Sequence, residues 1–77
     1  MTSPQDTLTY LIQNILPNDQ EISISNQQEN GLTILEITAP EEMKGRIIGK
    51  EGKIIKAIRT ILNVSFPEQR ILIKVTD

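Results

Sequence analysis

The sequence predicts an α+β domain in which helices pack on one face of a three-stranded sheet. Apolar residues recur at helical spacing in two segments, and apolar and polar residues alternate in three others. The resulting order is helix, strand, strand, short helix, helix, strand, which is typical of the α+β class. The 77 residues have room for one domain. We expect a single domain over residues 1–77, with an N-terminal helix and strand over residues 3–26 and a strand-helix-helix-strand core over residues 32–76.

The first element is a helix that begins at a clear capping pattern. Ser3 can cap it, Pro4 stands at its first position, and Asp6 follows three residues after the cap. Pro17 is expected to end it. Its apolar stripe has the spacing i, i+3, i+4, i+7, i+8 and consists of Leu8, Leu11, Ile12, Ile15 and Leu16. The polar face of the helix holds no distinctive chemistry, so we expect a structural role.

Two strands are predicted next, joined as a hairpin. Residues 21–26 alternate between isoleucine and polar residues, and the polar run 26–31 is expected to form a loop that turns at Asn30-Gly31. This loop is longer than the tightest hairpin loops. Residues 32–38 are apolar on both faces, which predicts a central position in the sheet.

Pro40 begins a short helix that Lys44-Gly45 are expected to end. Glu41 and Glu42 stand in its first turn, where carboxylates complement the positive end of a helix. Capping accounts for this acidic pair, so we assign it no catalytic role.

A longer helix follows over residues 53–62, with Asn63 at its end. Its buried side is expected to consist of Ile54, Ala57, Ile58 and Ile61, widened by Ile55 and Leu62. Three basic residues lie off this stripe at a spacing of three, namely Lys53, Lys56 and Arg59. A turn at Phe66-Pro67 leads to the last strand over residues 70–76, in which apolar residues alternate with others.

Composition excludes several classes of function. The chain has no cysteine and no histidine, which removes disulfides, thiolate metal sites, the usual zinc ligand and the Ser-His-Asp triad. We therefore expect a small binding module with no catalytic residues, no metal and no cofactor. No apolar run approaches the length of a membrane span and no secretory signal is visible at the start, so the expected location is the cytoplasm.

Charge is concentrated in one part of the chain. Residues 44–59 hold six basic residues and one acid, a local charge of +5, whereas the remaining residues hold two basic residues and nine acids, a charge of −7. The net charge of −2 conceals this separation. A basic stripe on an acidic body is typical of a site for a polyanion, although a solvated helix face would show the same composition.

The most informative motif is the run of residues 45–58, in which Gly49 and Gly52 stand three apart between two helices. Glycine permits a positive φ and close approach of another backbone, and the N-terminus of the following helix attracts anions. Arg46, Lys50 and Lys53 add positive charge around the turn. Neither the P-loop pattern nor the dinucleotide-binding pattern of glycines is present. A tight corner between helices would also need glycines, but the surrounding isoleucine pattern is far more specific.

That pattern, residues 47–58, resembles the core signature of KH domains, and the element order is similar to the type II KH arrangement of bacteria. The resemblance covers essentially the whole chain. Its length and the continuation of residues 57–60 make it similar to the small single-KH RNA-binding proteins of bacteria, the KhpA-like family.

The resemblance implies single-stranded RNA binding, in which the G-x-x-G loop clamps the backbone of about four nucleotides. The RNA-binding residues that it implies are Arg46, Ile48, Gly49, Lys50, Glu51, Gly52, Lys53, Ile55 and Lys56. Here Ile48, Ile55 and an apolar residue of strand 32–38 would line an aliphatic groove for bases. Glu51 should weaken phosphate binding by its negative charge. The resemblance also implies post-transcriptional or ribosome-linked action, self-association as a homodimer, and pairing with a second, KhpB-like KH protein.

Two further hypotheses remain open. The chain could be a protein-interaction or dimerisation module in which RNA contact is secondary, although such an interface does not need a row of basic residues. A small enzyme is the third hypothesis, and the lack of histidine, cysteine and any converging polar cluster argues against it.

Overall fold

A computed structural model describes residues 3–16 and 21–76 and confirms the predicted α+β class and order of elements. A 3-10 turn over Lys50–Gly52 joins the second and third helices. The elements are α1 (Pro4–Ile15), β1 (Ser23–Glu29), β2 (Leu32–Thr38), α2 (Glu41–Ile48), α3 (Lys53–Ser65) and β3 (Arg70–Thr76). The predicted helix stop at Pro17 lies outside the described residues.

The sheet has the order β1-β2-β3, which confirms the central position of β2. β1 runs antiparallel to β2, and β3 runs parallel to it. Two parallel neighbours need a crossover connection, and α2 and α3 supply it. β2, which precedes this connection, and β3, which follows it, are therefore adjacent in the sheet.

The two faces of the sheet differ in burial because successive strand residues point to opposite sides. On β2, Thr33, Leu35 and Ile37 are buried on the side that carries the helices. On the other side Ile34 lies opposite Leu72, which stays 40% exposed. The buried core consists of Leu8, Ile12, Leu16, Leu35, Ile37, Ala39, Ile47, Ile58, Leu62 and Ile73.

The start of α1 confirms the predicted capping pattern. The backbone N–H of Asp6 donates to Oγ of Ser3 at 3.1 Å, and the N–H of Ser3 donates to the Asp6 carboxylate at 3.4 Å. This reciprocal pair satisfies two N–H groups that the first turn leaves without helical partners. Nε2 of Gln5 donates to the carbonyl of Ile24 at 3.1 Å, which ties the helix to β1.

The hairpin is tighter than the sequence pattern predicted. β1 begins at Ser23 rather than residue 21 and continues through the polar residues to Glu29, so only Asn30 and Gly31 form the loop. Their φ angles of 54° and 80° are those of a type I′ turn. The expected long loop was wrong because ladder hydrogen bonds to β2 extend an edge strand whatever its side chains are.

Both helices of the crossover are longer than predicted. α2 continues through Gly45 to Ile48, because a glycine inside a helix weakens it without ending it. The backbone first leaves helical geometry at Gly49, where φ is positive. α3 continues past Asn63 to Ser65, and the N–H of Phe66 closes its last turn on the carbonyl of Leu62.

The buried side of α3 also differs from the prediction. Ile58 and Leu62 are buried, and Ile54 and Ile55 are half-buried beside them. Ala57 and Ile61, which were assigned to the buried stripe, are exposed. Seven residues of this helix are apolar, and one helix face cannot cover all of them.

Candidate nucleic-acid interface

A sharp corner between α2 and α3 is built from three residues with positive φ. The angles are 78° at Gly49, 57° at Glu51 and 73° at Gly52. The N–H of Gly49 donates to the carbonyl of Gly45 at 2.8 Å, and the N–H of Gly52 donates to the carbonyl of Gly49 at 3.1 Å. These bonds close α2 and fold the four-residue loop back on itself before α3 begins.

The two glycines of this loop are needed for different reasons. A Cβ atom at Gly49 would lie 2.6 Å from Cγ1 of Ile54, so a side chain there would collide with the first turn of α3. At Gly52 the nearest atom to such a Cβ would be Cε of Lys56 at 3.8 Å, which is an ordinary contact. Gly52 is therefore constrained by its positive φ alone.

Basic side chains surround the loop and are accessible to solvent. Arg46 lies in the last turn of α2, Lys50 lies in the loop, and Lys53 and Lys56 lie in the first turn of α3, all of them exposed. Glu51 is exposed as well, and its carboxylate lies 3.9 Å from Nζ of Lys53. The loop therefore presents several cations and one anion to solvent.

The N-terminus of α3 opens onto the same loop. Its N-cap residue is Gly52, and no side chain caps this end of the helix. Its first turn contains no acidic residue. N–H groups without helical partners and the positive end of the helix dipole favour an anion at such a position.

Ile48 and Ile55 flank the loop as half-buried apolar residues, one at the end of α2 and one in the first turns of α3. The nine predicted site residues thus occupy one continuous corner over residues 46–56. The apolar residues of β2 lie on both faces of the sheet, and the groove residue expected on this strand stays a prediction. Leu35 and Ile37 are fully buried under the helices, and Ile34 lies on the opposite face of the sheet.

A second exposed surface on α3 was missed by sequence reasoning. Ile61 is 43% exposed and Val64 74% exposed, and both lie at helical spacing from exposed Ala57. We call these three residues the α3 apolar surface. The signal that could have found it is the excess of apolar residues on α3, which forms a second stripe at positions 57, 61 and 64 beside the buried one.

Within residues 3–16 and 21–76, no cluster of three or more His, Cys, Asp or Glu side chains is placed to hold a metal ion. Among the helices described, none has the length and apolar character needed to cross a membrane.

Comparison with known proteins gives one consistent family. The family model described as KhpA/KhpB, KH domain matches residues 5–75. The RNA-binding protein KhpA of Chlamydia caviae is 43% identical over 58 residues, which cover 75% of this chain and 74% of the relative. The protein of the same name from Thermotoga maritima is 29% identical over 72 residues, covering 92% of this chain and 96% of the relative. No solved structure gives a significant match.

Proposed function

The chain belongs to the KhpA/KhpB KH-domain family, and from this premise we propose that it binds single-stranded RNA without catalysing a reaction. Its relatives are named RNA-binding proteins. The observation that carries the proposal is the loop of residues 49–52. Three of its four residues have positive φ, so the chain turns sharply between α2 and α3, and exposed lysines lie in and beside this turn. We further propose that residues 1–77 act as one KH domain.

The loop contacts the sugar-phosphate backbone in this proposal. Gly52 has no side chain, so a phosphate can approach the backbone closely there, whereas the missing side chain of Gly49 makes room for Ile54. Lys50 and Lys53 supply positive charge, and Arg46 and Lys56 extend it along the two helices. The uncapped N-terminus of α3 adds N–H donors on the same side. A KH domain of this kind holds about four nucleotides.

Bases are held by aliphatic contacts, with Ile48 and Ile55 as the groove residues. The two aromatic residues of the chain are poorly placed to stack on bases. Tyr10 lies on the exposed side of α1, and Phe66 follows the last residue of α3. Because α3 has 13 residues, its two ends are separated by about 20 Å. Binding by one domain is consequently weak and tolerant of sequence.

Self-association compensates for this weakness, and we place the homodimer contact on the α3 apolar surface. Val64 and Ile61 expose apolar area that a second copy of the chain can cover. This surface lies on the same helix as Lys53 and Lys56. Two copies joined there would present two loops to one RNA, which raises the effective concentration of the second loop.

The proposal also covers the partner protein, the kind of RNA that is bound and the cellular location. A second, KhpB-like KH protein can cover the same surface and form a heteromer, and the family description joins the two names. The bound RNA is messenger RNA or RNA linked to ribosome function, and regulation is post-transcriptional. We propose that the protein acts in the cytoplasm.

A protein-interaction module is the second candidate function. The observation that favours it is the exposure of Ile61 and Val64, since large apolar residues at adjacent helical positions mark contact surfaces. In this alternative the α3 apolar surface is the functional site and RNA contact is secondary.

Titration of the purified chain with short labelled single-stranded RNA at two salt concentrations separates the two functions. The variant Lys50→Asp/Glu51→Asp changes the charge of the loop from 0 to −2, and aspartate tolerates the left-handed backbone at position 51. Arg70→Asp/Glu68→Asp makes the same change of charge at exposed residues away from the loop.

We expect the wild type and the control variant to bind RNA and the loop variant to lose binding while keeping its circular dichroism spectrum. A loop variant that binds as tightly as the wild type would show that the loop is not the clamp. A wild-type chain that binds no RNA at high micromolar concentrations would favour the protein-interaction module.

A further inference from the structure

Glu51 occupies an unusual place within the basic part of the chain. It is the one acid among residues 44–59, and it stands inside the loop that faces solvent. Its carboxylate lies 3.9 Å from Nζ of Lys53, and the two side chains are 72% and 76% exposed. Lys53 extends the positive charge of the loop into α3, and its ammonium group is therefore already paired with the carboxylate of Glu51.

The backbone holds Glu51 in this place. Its φ of 57° and ψ of 24° belong to the left-handed region, which a residue with a long side chain rarely adopts. Gly49 and Gly52 also have positive φ, so three of the four residues of the turn adopt unusual conformations. A glycine at position 51 would fit this backbone more easily, so Glu51 is kept there at a conformational cost.

Helix capping does not explain the side chain. The N-cap of α3 is Gly52, and no side chain accepts a hydrogen bond from the first turn. The contact that the structure gives the carboxylate is the one with Lys53. A carboxylate and a phosphate offer the same kind of anionic oxygen to a lysine, so they compete for it.

We propose that Glu51 is an intrachain competitor for RNA phosphate, which holds Lys53 until the RNA backbone displaces it. This inference rests on the proposed function and adds a regulation of its site. Pairing with Glu51 lowers the charge that Lys53 offers in the free protein, and the displaced carboxylate then repels the bound backbone. Glu51 thereby keeps RNA affinity low and exchange fast, and it reduces the number of counterions released on binding.

The test compares Glu51→Gln with Glu68→Gln in RNA titrations over a range of salt concentrations. Glutamine keeps the shape of the side chain and removes its charge. Glu68 is exposed in the turn before β3, so its variant changes the net charge equally without changing the loop. We expect Glu51→Gln to bind RNA about two- to five-fold more tightly. We also expect the slope of the logarithm of its RNA-binding constant against the logarithm of the salt concentration to be steeper by about 0.7, as for one added phosphate contact. Glu68→Gln should bind as the wild type does.

Adding Lys53→Gln completes the experiment, because the gain from Glu51→Gln should disappear in that background. A gain that persists would overturn Lys53 as the group that Glu51 holds. Wild-type affinity for Glu51→Gln, or an equal gain for Glu68→Gln, would overturn the competition itself. Failure of this inference is distinguishable from failure of the proposed function, because Lys50→Asp/Glu51→Asp would still lose RNA binding in the first case and would retain it in the second.

Discussion

Gly49 and Ile54 lie so close together that the loop requires glycine at the first of these positions. A Cβ atom on Gly49 would stand 2.6 Å from Cγ1 of Ile54. The backbone of Gly49, with φ 78° and ψ 173°, also lies in a region that residues with side chains essentially avoid. Because Ile54 packs against the core, core packing helps to set the position of the loop, together with the hydrogen bonds that the loop makes itself.

This relationship predicts that the two loop glycines differ in what they contribute to stability. Gly49→Ala should lower the free energy of unfolding by about 3 kcal/mol, since it combines backbone strain with a steric clash. Gly52→Ala should cost about 1 kcal/mol, because only the positive φ opposes it and the nearest atom is 3.8 Å away. Urea denaturation followed by circular dichroism measures both. Equal losses for the two variants would contradict the role assigned to Ile54.

The sequence predicted the order of elements because most of them carry a strong local pattern. The capping box of Ser3 and Asp6 forms as expected, and the alternation in residues 70–76 matches β3. β2 was recognised as central because it is apolar on both faces. These features depend on residues near one another in the chain, which is why a single sequence suffices.

The predictions were wrong where contacts with neighbouring elements decide how long an element is or which of its residues are buried. β1 is an edge strand, and its residues after Ile24 are polar. The hydrophobic pattern therefore does not show that these residues form hydrogen bonds with β2. On α3 the apolar residues form two stripes, and only packing decides that Ile58 is buried and Ile61 is exposed. The same limit applies to β2, where the full burial of Leu35 follows from the helices that pack above it.

Two leucines on opposite faces of the sheet test the assignment of the core. Leu35 is fully buried on the helix side, so Leu35→Ala should lower the free energy of unfolding by about 2–5 kcal/mol. Leu72 is 40% exposed on the open side, and Leu72→Ala should cost less than about 1 kcal/mol. Chemical denaturation of the two variants gives the comparison. A larger loss for Leu72 would mean that the outer face is covered.

The basic side chains around the loop predict that RNA affinity falls with salt. Each phosphate contact with single-stranded nucleic acid contributes a log–log slope of about −0.7. With three or four contacts per domain, the slope should be roughly −2 to −3. Lys56→Gln should reduce its magnitude by about 0.7, whereas Arg70→Gln, away from the loop, should leave it unchanged. Fluorescence anisotropy over a salt series measures the slope, and a flat response would contradict an electrostatic clamp.

The α3 apolar surface predicts the oligomeric state. If a second copy covers Ile61, then Ile61→Lys places a charge in that contact and should convert a dimer into a monomer without unfolding it, since the side chain is already 43% exposed. Tyr10→Lys is the matched control, because Tyr10 is exposed on a different helix and its loss should leave the dimer intact. Sedimentation equilibrium at high micromolar concentrations gives the mass of each species.

RNA binding by the same variants connects this surface to the loop. The two loops of a dimer act together only on an RNA long enough to reach both, so Ile61→Lys should weaken binding to long RNA and leave binding to a four-nucleotide RNA unchanged. Tyr10→Lys should bind both RNAs as the wild type does. A wild-type chain that sediments as a monomer, or an Ile61→Lys variant that remains a dimer, would show that the exposed side of α3 is not where copies of this chain meet.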